Sequence, residues 1–274
     1  AHLIFCLYSF VNIIMTALTD LQQPTQLKHQ RSQQSSIYQV WGQGPSARYN
    51  ELASHFRPIF DKIRETVNER EKTHTLPYEQ LQWLKDAGFT RLRLPAKHNG
   101  FDATIPELFA LLIELAQADA NLPQALRVHY GFTEDILLLN DSAYKRLWLD
   151  RIGQGQTIGS AWSEGGKESI GQFSTHLSKT EDGRVLLNGR KYYTTGSLYA
   201  EWIDVGITDL DGNSASIIIP RSAAGVEIID DWNGFGQVLT ASGTSIFTDV
   251  EVDPSDVLPD DDRFKYSAGF YQLI

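Results

Sequence analysis

The sequence predicts an α+β protein: an N-terminal antiparallel α-helical bundle followed by a mainly antiparallel β-barrel or sandwich. Two observations carry this. Apolar residues recur at three- and four-residue spacing up to about residue 152, and after Gly155 the pattern gives way to short β-branched and aromatic runs punctuated by Gly, Asp and Asn. Helices followed by strands, rather than alternating with them, imply segregated layers and not a doubly wound sheet.

The first helix is read from Leu52, Phe56, Ile59/Phe60, Ile63 and Val67, with Pro58 expected to kink or restart it. A second has Pro77 in its first turn, Leu81 and Leu84 facing inward, and Gly88 at its end. Thr104 and Glu107 have capping-box spacing ahead of the apolar body LFALLIELA, which suits a central helix. Asn121-Leu-Pro123 breaks the chain. A fourth helix then carries Ala125, Val128, Phe132 and Ile136, and Asp141 is placed to cap a fifth with Leu147 and Ile152 inward. Strands are expected at TIGSAW, VLLNGRKYY, WIDVGI, ASIIIP and TSIFTDVEV, with turn chemistry at Asn188-Gly189 and Asp211-Gly212-Asn213.

The expected organisation is an extraneous apolar segment and disordered tail over 1–45, a helical domain over 46–156, a β domain over 157–259, and the start of a truncated C-terminal four-helix bundle over 260–274. Residues 1–14 are apolar but too short to span a bilayer, and no basic flank precedes them. Met15 opens a polar run that reads like a natural start.

The net charge of −10 argues against nucleic acid or an anionic membrane as partner, and the expected location is cytoplasmic. Cys6 is the sole cysteine, and the seven histidines never fall at HxxxH or HxxE spacing, so no metal site is expected. Neither a GxGxxG nor a GxxxxGK[ST] motif occurs, which disfavours the familiar nicotinamide and P-loop sites.

An ordered set of segments resembles the acyl-CoA dehydrogenase superfamily over roughly residues 46–274. Trp162-Ser163-Glu164-Gly165-Gly166 stands where that family has Thr-Glu-Pro-Gly, and Leu187-Asn188-Gly189-Arg190-Lys191-Tyr192-Tyr193-Thr194-Thr195 where it has Leu-Asn-Gly-x-Lys-x-Trp-Ile-Thr. Gly225-Val226, the strand Ser245–Val252 followed by Pro254 and Asp256-Val257-Leu258, and the upstream Leu94-Pro95 with Asn99-Gly100-Phe101 continue the match. Tyr192-Tyr193-Thr194-Thr195-Gly196-Ser197 with Glu201-Trp202, and Val128-His129-Tyr130-Gly131-Phe132, look more like the reduced-flavin-dependent monooxygenase branch, whose members hydroxylate organosulfur compounds.

The resemblance implies a flavin, FMN or FAD, with its ring edge against the β domain. By matched position, Ser163 would meet the pyrimidine edge, Thr195 the N5 atom and Tyr193 one ring face. Trp162 would supply apolar wall, with Ser160 and Ser169 also touching the cofactor. His129, from a helix whose histidine faces the flavin pocket in that branch, and Thr195 are the implied catalytic residues. The substrate would be a small molecule, with reduced flavin delivered by a separate flavin reductase. The alternatives are an FAD-dependent acyl-CoA dehydrogenase serving an electron-transfer flavoprotein, or a non-catalytic remnant. The family's catalytic base and much of its homotetramer surface belong to the C-terminal domain, beyond the matched residues.

Overall fold

The stripe from Leu52 to Ile63 forms helix α1 (Tyr49–Glu65), which buries Tyr49, Leu52, Ala53, Phe56, Phe60 and Ile63. Pro58 lies inside α1 without ending it. It sits on the exposed face, so the Ser54 carbonyl that it deprives of a donor faces water. The restart comes at Thr66, and α2 (Val67–Thr73) follows. Helix α3 (Tyr78–Asp86) begins after Pro77 and buries Leu81 and Leu84 as expected. Helix α4 (Ile105–Ala118) opens with the capping box: the Thr104 hydroxyl accepts the Glu107 N–H, and the Glu107 carboxylate accepts the Thr104 N–H. Inside the bundle, Glu114 of α4 takes two hydrogen bonds from Arg57 (2.9 and 2.7 Å) and one from the Tyr49 hydroxyl (2.9 Å).

The break at Asn121-Leu-Pro123 is itself a short helix, α5 (Asn121–Ala125), and α6 (Arg127–Leu138) and α7 (Ala143–Gly153) complete the helical half. Ser142, not Asp141, caps α7 by accepting the Lys145 N–H; Asp141 is held instead by Arg146 at 2.6 Å. Leu147 is 45% exposed, against expectation. The inward position belongs to Trp148, whose ring packs edge-on against Phe132 and Trp202.

The structure, a computed structural model, describes residues 45–165, 173–260, 270 and 274. The expected leader and tail before residue 45, and most of the expected start of a further bundle after residue 260, lie outside the described residues. Arg48–Ile274 form one compact unit. Among the described residues no helix is long and apolar enough to cross a membrane.

Strands β1 (Ile158–Ala161), β2 (His176–Lys179), β3 (Val185–Lys191), β4 (Trp202–Thr208), β5 (Ser214–Pro220), β6 (Val226–Ile229), β7 (Thr244–Val252) and β8 (Val257–Pro259) form one sheet. Its order is β6-β7-β3-β2-β4-β5-β8, with β1 parallel to β4. The sheet is open rather than a closed barrel, because the short β6 and β8 lie at opposite ends of this order and do not pair. Asp209–Asn213 makes the expected hairpin between β4 and β5. Asn188-Gly189 does not turn the chain; it lies within β3 at a bulge against β7. Asn188 exchanges hydrogen bonds with Asp249 of β7, and a Cβ on Gly189 would stand 2.4 Å from the Thr175 hydroxyl.

Alternation along β5 separates two cores. Ile217 and Ile219 join Leu187, Val205 and Phe247 on one face, whereas Ile218 packs with Phe132, Trp148 and Ile152 of the helices. Lys85 of α3 adds a polar tie, reaching Glu201 at 2.6 Å, and Glu201 in turn accepts the N–H and hydroxyl of Thr157 beside β1.

Candidate functional site

The site forms where the chain leaves β1, where β3 ends and where β7 begins. Lys191, the last residue of β3, is fully buried and pairs with Glu164 at 2.7 Å. Its ammonium also reaches the Trp162 carbonyl (3.3 Å) and lies 3.9 Å from the Phe173 ring centroid. Glu164 accepts the N–H and hydroxyl of Ser174 and the N–H of Thr175. One ion pair therefore ties the 162–165 segment, the entry to β2 and the end of β3 together.

Immediately after Lys191 the backbone turns. Tyr193 adopts φ 55°, a left-handed conformation that costs a bulky residue about 1–2 kcal/mol. The turn leaves its ring 61% exposed and edge-on to Trp232, with centroids 5.9 Å apart. Together with Gly165, Tyr192, Asp231, Ser242, Gly243 and Thr244, these two aromatics line a cleft of about 320 Å³. That volume falls in the range of small-molecule sites, about 300–1,000 Å³. Gln237 and Ala241, on the loop supplying Trp232 and Ser242, also have positive φ (51° and 50°). Strain of this kind, gathered around one cleft, is a mark of a functional site.

Thr195 lies just behind this surface, 4% exposed, at the head of a line of hydroxyls. Its Oγ1 is 2.8 Å from Ser242 Oγ, which is 2.7 Å from Thr240 Oγ1, which donates to the Gln237 carbonyl at 3.0 Å. A carbonyl can only accept, so the Thr240 proton is committed to it. Thr195 Oγ1 also faces the Tyr193 carbonyl at 3.4 Å, so its proton goes either to that carbonyl or to Ser242 Oγ. Either way the Thr195 proton is engaged, and its oxygen keeps acceptor capacity.

The other expected site residues take various places. Ser160 is buried, and its backbone braces the site from behind: its N–H donates to the Thr195 carbonyl (3.1 Å) and its carbonyl accepts the Ser197 hydroxyl (2.8 Å). Trp162 is half-buried with its ring edge-on to Phe173. Ser163 is exposed, and its carbonyl accepts the Tyr192 N–H at 2.8 Å. Ser169 lies outside the described residues. His129 is not among the residues lining the cleft. It is fully buried in α6, Nε2 faces the Thr90 carbonyl at 2.7 Å, and Nδ1 has no hydrogen-bond partner. Burial, only partly offset by that carbonyl, holds its pKa down at about 4, so the ring is neutral. Sequence reasoning missed Trp232, Ser242 and the Lys191–Glu164 pair. A signal for the first two was there: a Gly-rich connection over 230–243, long for a link between neighbouring strands.

The chemistry of this donor set fits a flavin: an aromatic surface made by Tyr193 edge-on to Trp232 for a planar ring, and hydroxyls along one edge for its polar atoms. A helical bundle followed by an open sheet, with such a cleft at the sheet's end, is the arrangement that the resemblance to the acyl-CoA dehydrogenase superfamily implies. Residues 49–156 match the family profile described as "Acyl-CoA dehydrogenase, N-terminal domain". Dibenzothiophene monooxygenase of Rhodococcus erythropolis is 28% identical over 215 residues, 76% of this chain and 51% of the relative. The probable FMNH2-dependent monooxygenase SfnC of Pseudomonas putida is 24% identical over 207 residues, 74% of this chain and 51% of its own length. The crystal structure of FMN-bound TdsC from Paenibacillus sp. A11-2 superposes with a TM-score of 0.69 at 23% identity, covering 78% of this chain and 55% of that one. The chain therefore spans about half the length of the relatives it matches. The resemblance to the acyl-CoA dehydrogenase superfamily, on the side of its reduced-flavin monooxygenases, holds in sequence and in fold.

Two outcomes follow from this geometry. Tyr193→Gly removes the left-handed penalty and one cleft wall; stability is expected to hold or rise by up to about 1 kcal/mol while flavin affinity falls. Denaturant melts and a flavin titration on the same sample check this, and unchanged affinity would contradict it. His129 is neutral when folded but protonates below about pH 6.5 when unfolded, so the unfolded chain binds the extra proton between about pH 6.5 and 4. Its contribution is complete above that window and is lost as the pH falls through it, by about 3 kcal/mol in all. His129→Gln is expected to flatten that part of the slope in melts compared at pH 4 and 7; identical slopes would refute the assignment.

Proposed function

We propose that the protein is a reduced-flavin-dependent monooxygenase, using FMN delivered by a separate flavin reductase and acting on a small organosulfur substrate. The observation that carries this is the acceptor left at Thr195. A reduced isoalloxazine carries an N–H at N5 where the oxidised ring has a bare nitrogen, so an acceptor there favours the reduced form. A dehydrogenase that waits in the oxidised state would be better served by a donor at the same place. The similarity to the Rhodococcus and Pseudomonas proteins supports FMN and a sulfur substrate.

Reduced flavin, once bound, supplies the electrons that activate oxygen. The chain's own residues do the rest. Tyr193, edge-on to Trp232, would offer one aromatic face to the ring, and Thr195, whose proton is engaged by Ser242 or the Tyr193 carbonyl, would accept the N5 proton rather than offer one. The Lys191–Glu164 pair fixes the segment carrying Ser163, whose hydroxyl would meet the ring's polar edge. The buried Leu239 and Ala241 back the cleft with apolar surface and exclude water from that side.

Anaerobic titration tests the reading. Reduced FMN is expected to bind about five- to tenfold more tightly than oxidised FMN, the worth of one hydrogen bond. Ser242→Ala leaves the Thr195 proton held only by the Tyr193 carbonyl at 3.4 Å and is expected to narrow that ratio. With NADH, a flavin reductase and dibenzothiophene, sulfoxide formation followed by chromatography is the expected activity. Tighter binding of the oxidised flavin, or bleaching of bound FAD by an acyl-CoA, would overturn the proposal.

A further inference from the structure

The line of hydroxyls ends on the 237–242 loop, and what fixes that loop is a residue of the helical half. Asn121, the first residue of α5 and 1% exposed, accepts the Leu239 N–H through Oδ1 at 3.0 Å. The amide has only one orientation open to it. Its Nδ2 faces two carboxylates, Asp119 at 2.8 Å and Glu71 at 3.2 Å, so the oxygen must face Leu239. Asp119 is itself anchored: its Oδ1 takes the Asn121 backbone N–H at 2.9 Å and its Oδ2 the buried Arg70 guanidinium at 2.7 Å. The Leu239 carbonyl is held from the other side by the Tyr199 hydroxyl at 2.6 Å. Leu239 is thus pinned at both its polar groups, one residue before Thr240.

The same short helix meets the Thr195 side of the line. Gly196 adopts φ 77°, and a Cβ there would stand 2.3 Å from the Ala125 carbonyl at the C-terminal end of α5. The Gly196 N–H donates to the Thr240 carbonyl at 3.1 Å. Helix α5 therefore abuts both backbone segments that carry the hydroxyls, Thr195-Gly196 through Ala125 and Leu239-Thr240 through Asn121.

We infer that Asn121 is a positioning residue for the flavin site: it touches no flavin, but holds Leu239 so that Gln237, Thr240 and Ser242 keep the Thr195 hydroxyl oriented as an acceptor. The inference rests on the proposed reduced-flavin reading. Its mark is that loss of Asn121 changes the preference between flavin redox states and not stability alone.

The test measures four quantities on the full 274-residue chain: the dissociation constants of reduced and of oxidised FMN, the thermal midpoint, and hydrogen exchange at the Leu239 amide. Asn121→Ala is expected to weaken reduced-FMN binding about tenfold, to bring the two redox states within about twofold of each other, and to speed Leu239 exchange. Asn121→Asp, nearly isosteric but without the Nδ2 donors and facing two carboxylates, is expected to do the same and serves if the alanine variant does not fold. Ser142→Ala, which removes the α7 cap, is the control for general destabilisation; it is expected to lower the midpoint and leave both constants unchanged. If the Asn121 variants keep the wild-type redox preference, or weaken both states equally, Asn121 does not position the site. A wild-type chain that shows no preference for reduced flavin overturns the functional reading itself, and this inference with it.

Discussion

A buried charge governs the cleft. Lys191 loses all contact with water at the end of β3, and an ammonium so placed is tolerable only with a carboxylate and further acceptors around it. Glu164, the Trp162 carbonyl and the Phe173 ring supply them, and Glu164 in turn needs its donors from Ser174 and Thr175. Satisfying this pair forces three stretches distant in sequence to meet. The Tyr193 turn, the exposed Ser163 and the entry to β2 are placed as a consequence. Hydrophobic packing of Leu187, Val205 and Ile217 would hold a sheet together, but it would not dictate where the 162–165 segment lies against β3.

The helical half has a part beyond support. Two of its long-range polar contacts, Lys85 with Glu201 and Asn121 with Leu239, end beside β1 and on the loop that walls the cleft. Both are directional, so they fix orientation where apolar contacts fix only proximity. The hydroxyl line shows why orientation matters. Hydroxyls that could each donate or accept are constrained at both ends, because Thr240 meets the Gln237 carbonyl and Thr195 the Tyr193 carbonyl.

Much of the fold was legible. The helices declared themselves through apolar spacing and caps, and Thr104 with Glu107 gave the start of α4 to the residue. What was misread turned on chemistry shared between two outcomes. Asn188-Gly189 suits a hairpin turn and a bulge equally well, and only the Asn188–Asp249 contact decides. Pro58 carries the same signal whether it ends a helix or, as here on the exposed face of α1, is accommodated within one. Strands as short as His176–Lys179 and Val226–Ile229 carry too few residues for alternation to show. For the candidate site, Thr195 and Tyr193 were singled out through a resemblance of ordered motifs. The polarity of Thr195 was out of reach, because it depends on Ser242 and Thr240 in a separate segment. The enclosed setting of His129 was also hidden, since a histidine beside an apolar stripe reads the same whether it faces a ligand or the Thr90 carbonyl.

The reduced-FMN dissociation constant of the double variant Lys191→Met/Glu164→Gln tests this account most directly. Removing both charges leaves neither buried without a partner, so the chain is expected to stay folded with a thermal midpoint near that of the wild type. The clamp on the 162–165 segment is nevertheless gone, and binding is expected to weaken about tenfold or more. A folded double variant that binds reduced FMN as tightly as the wild type would contradict the claim that this ion pair builds the site.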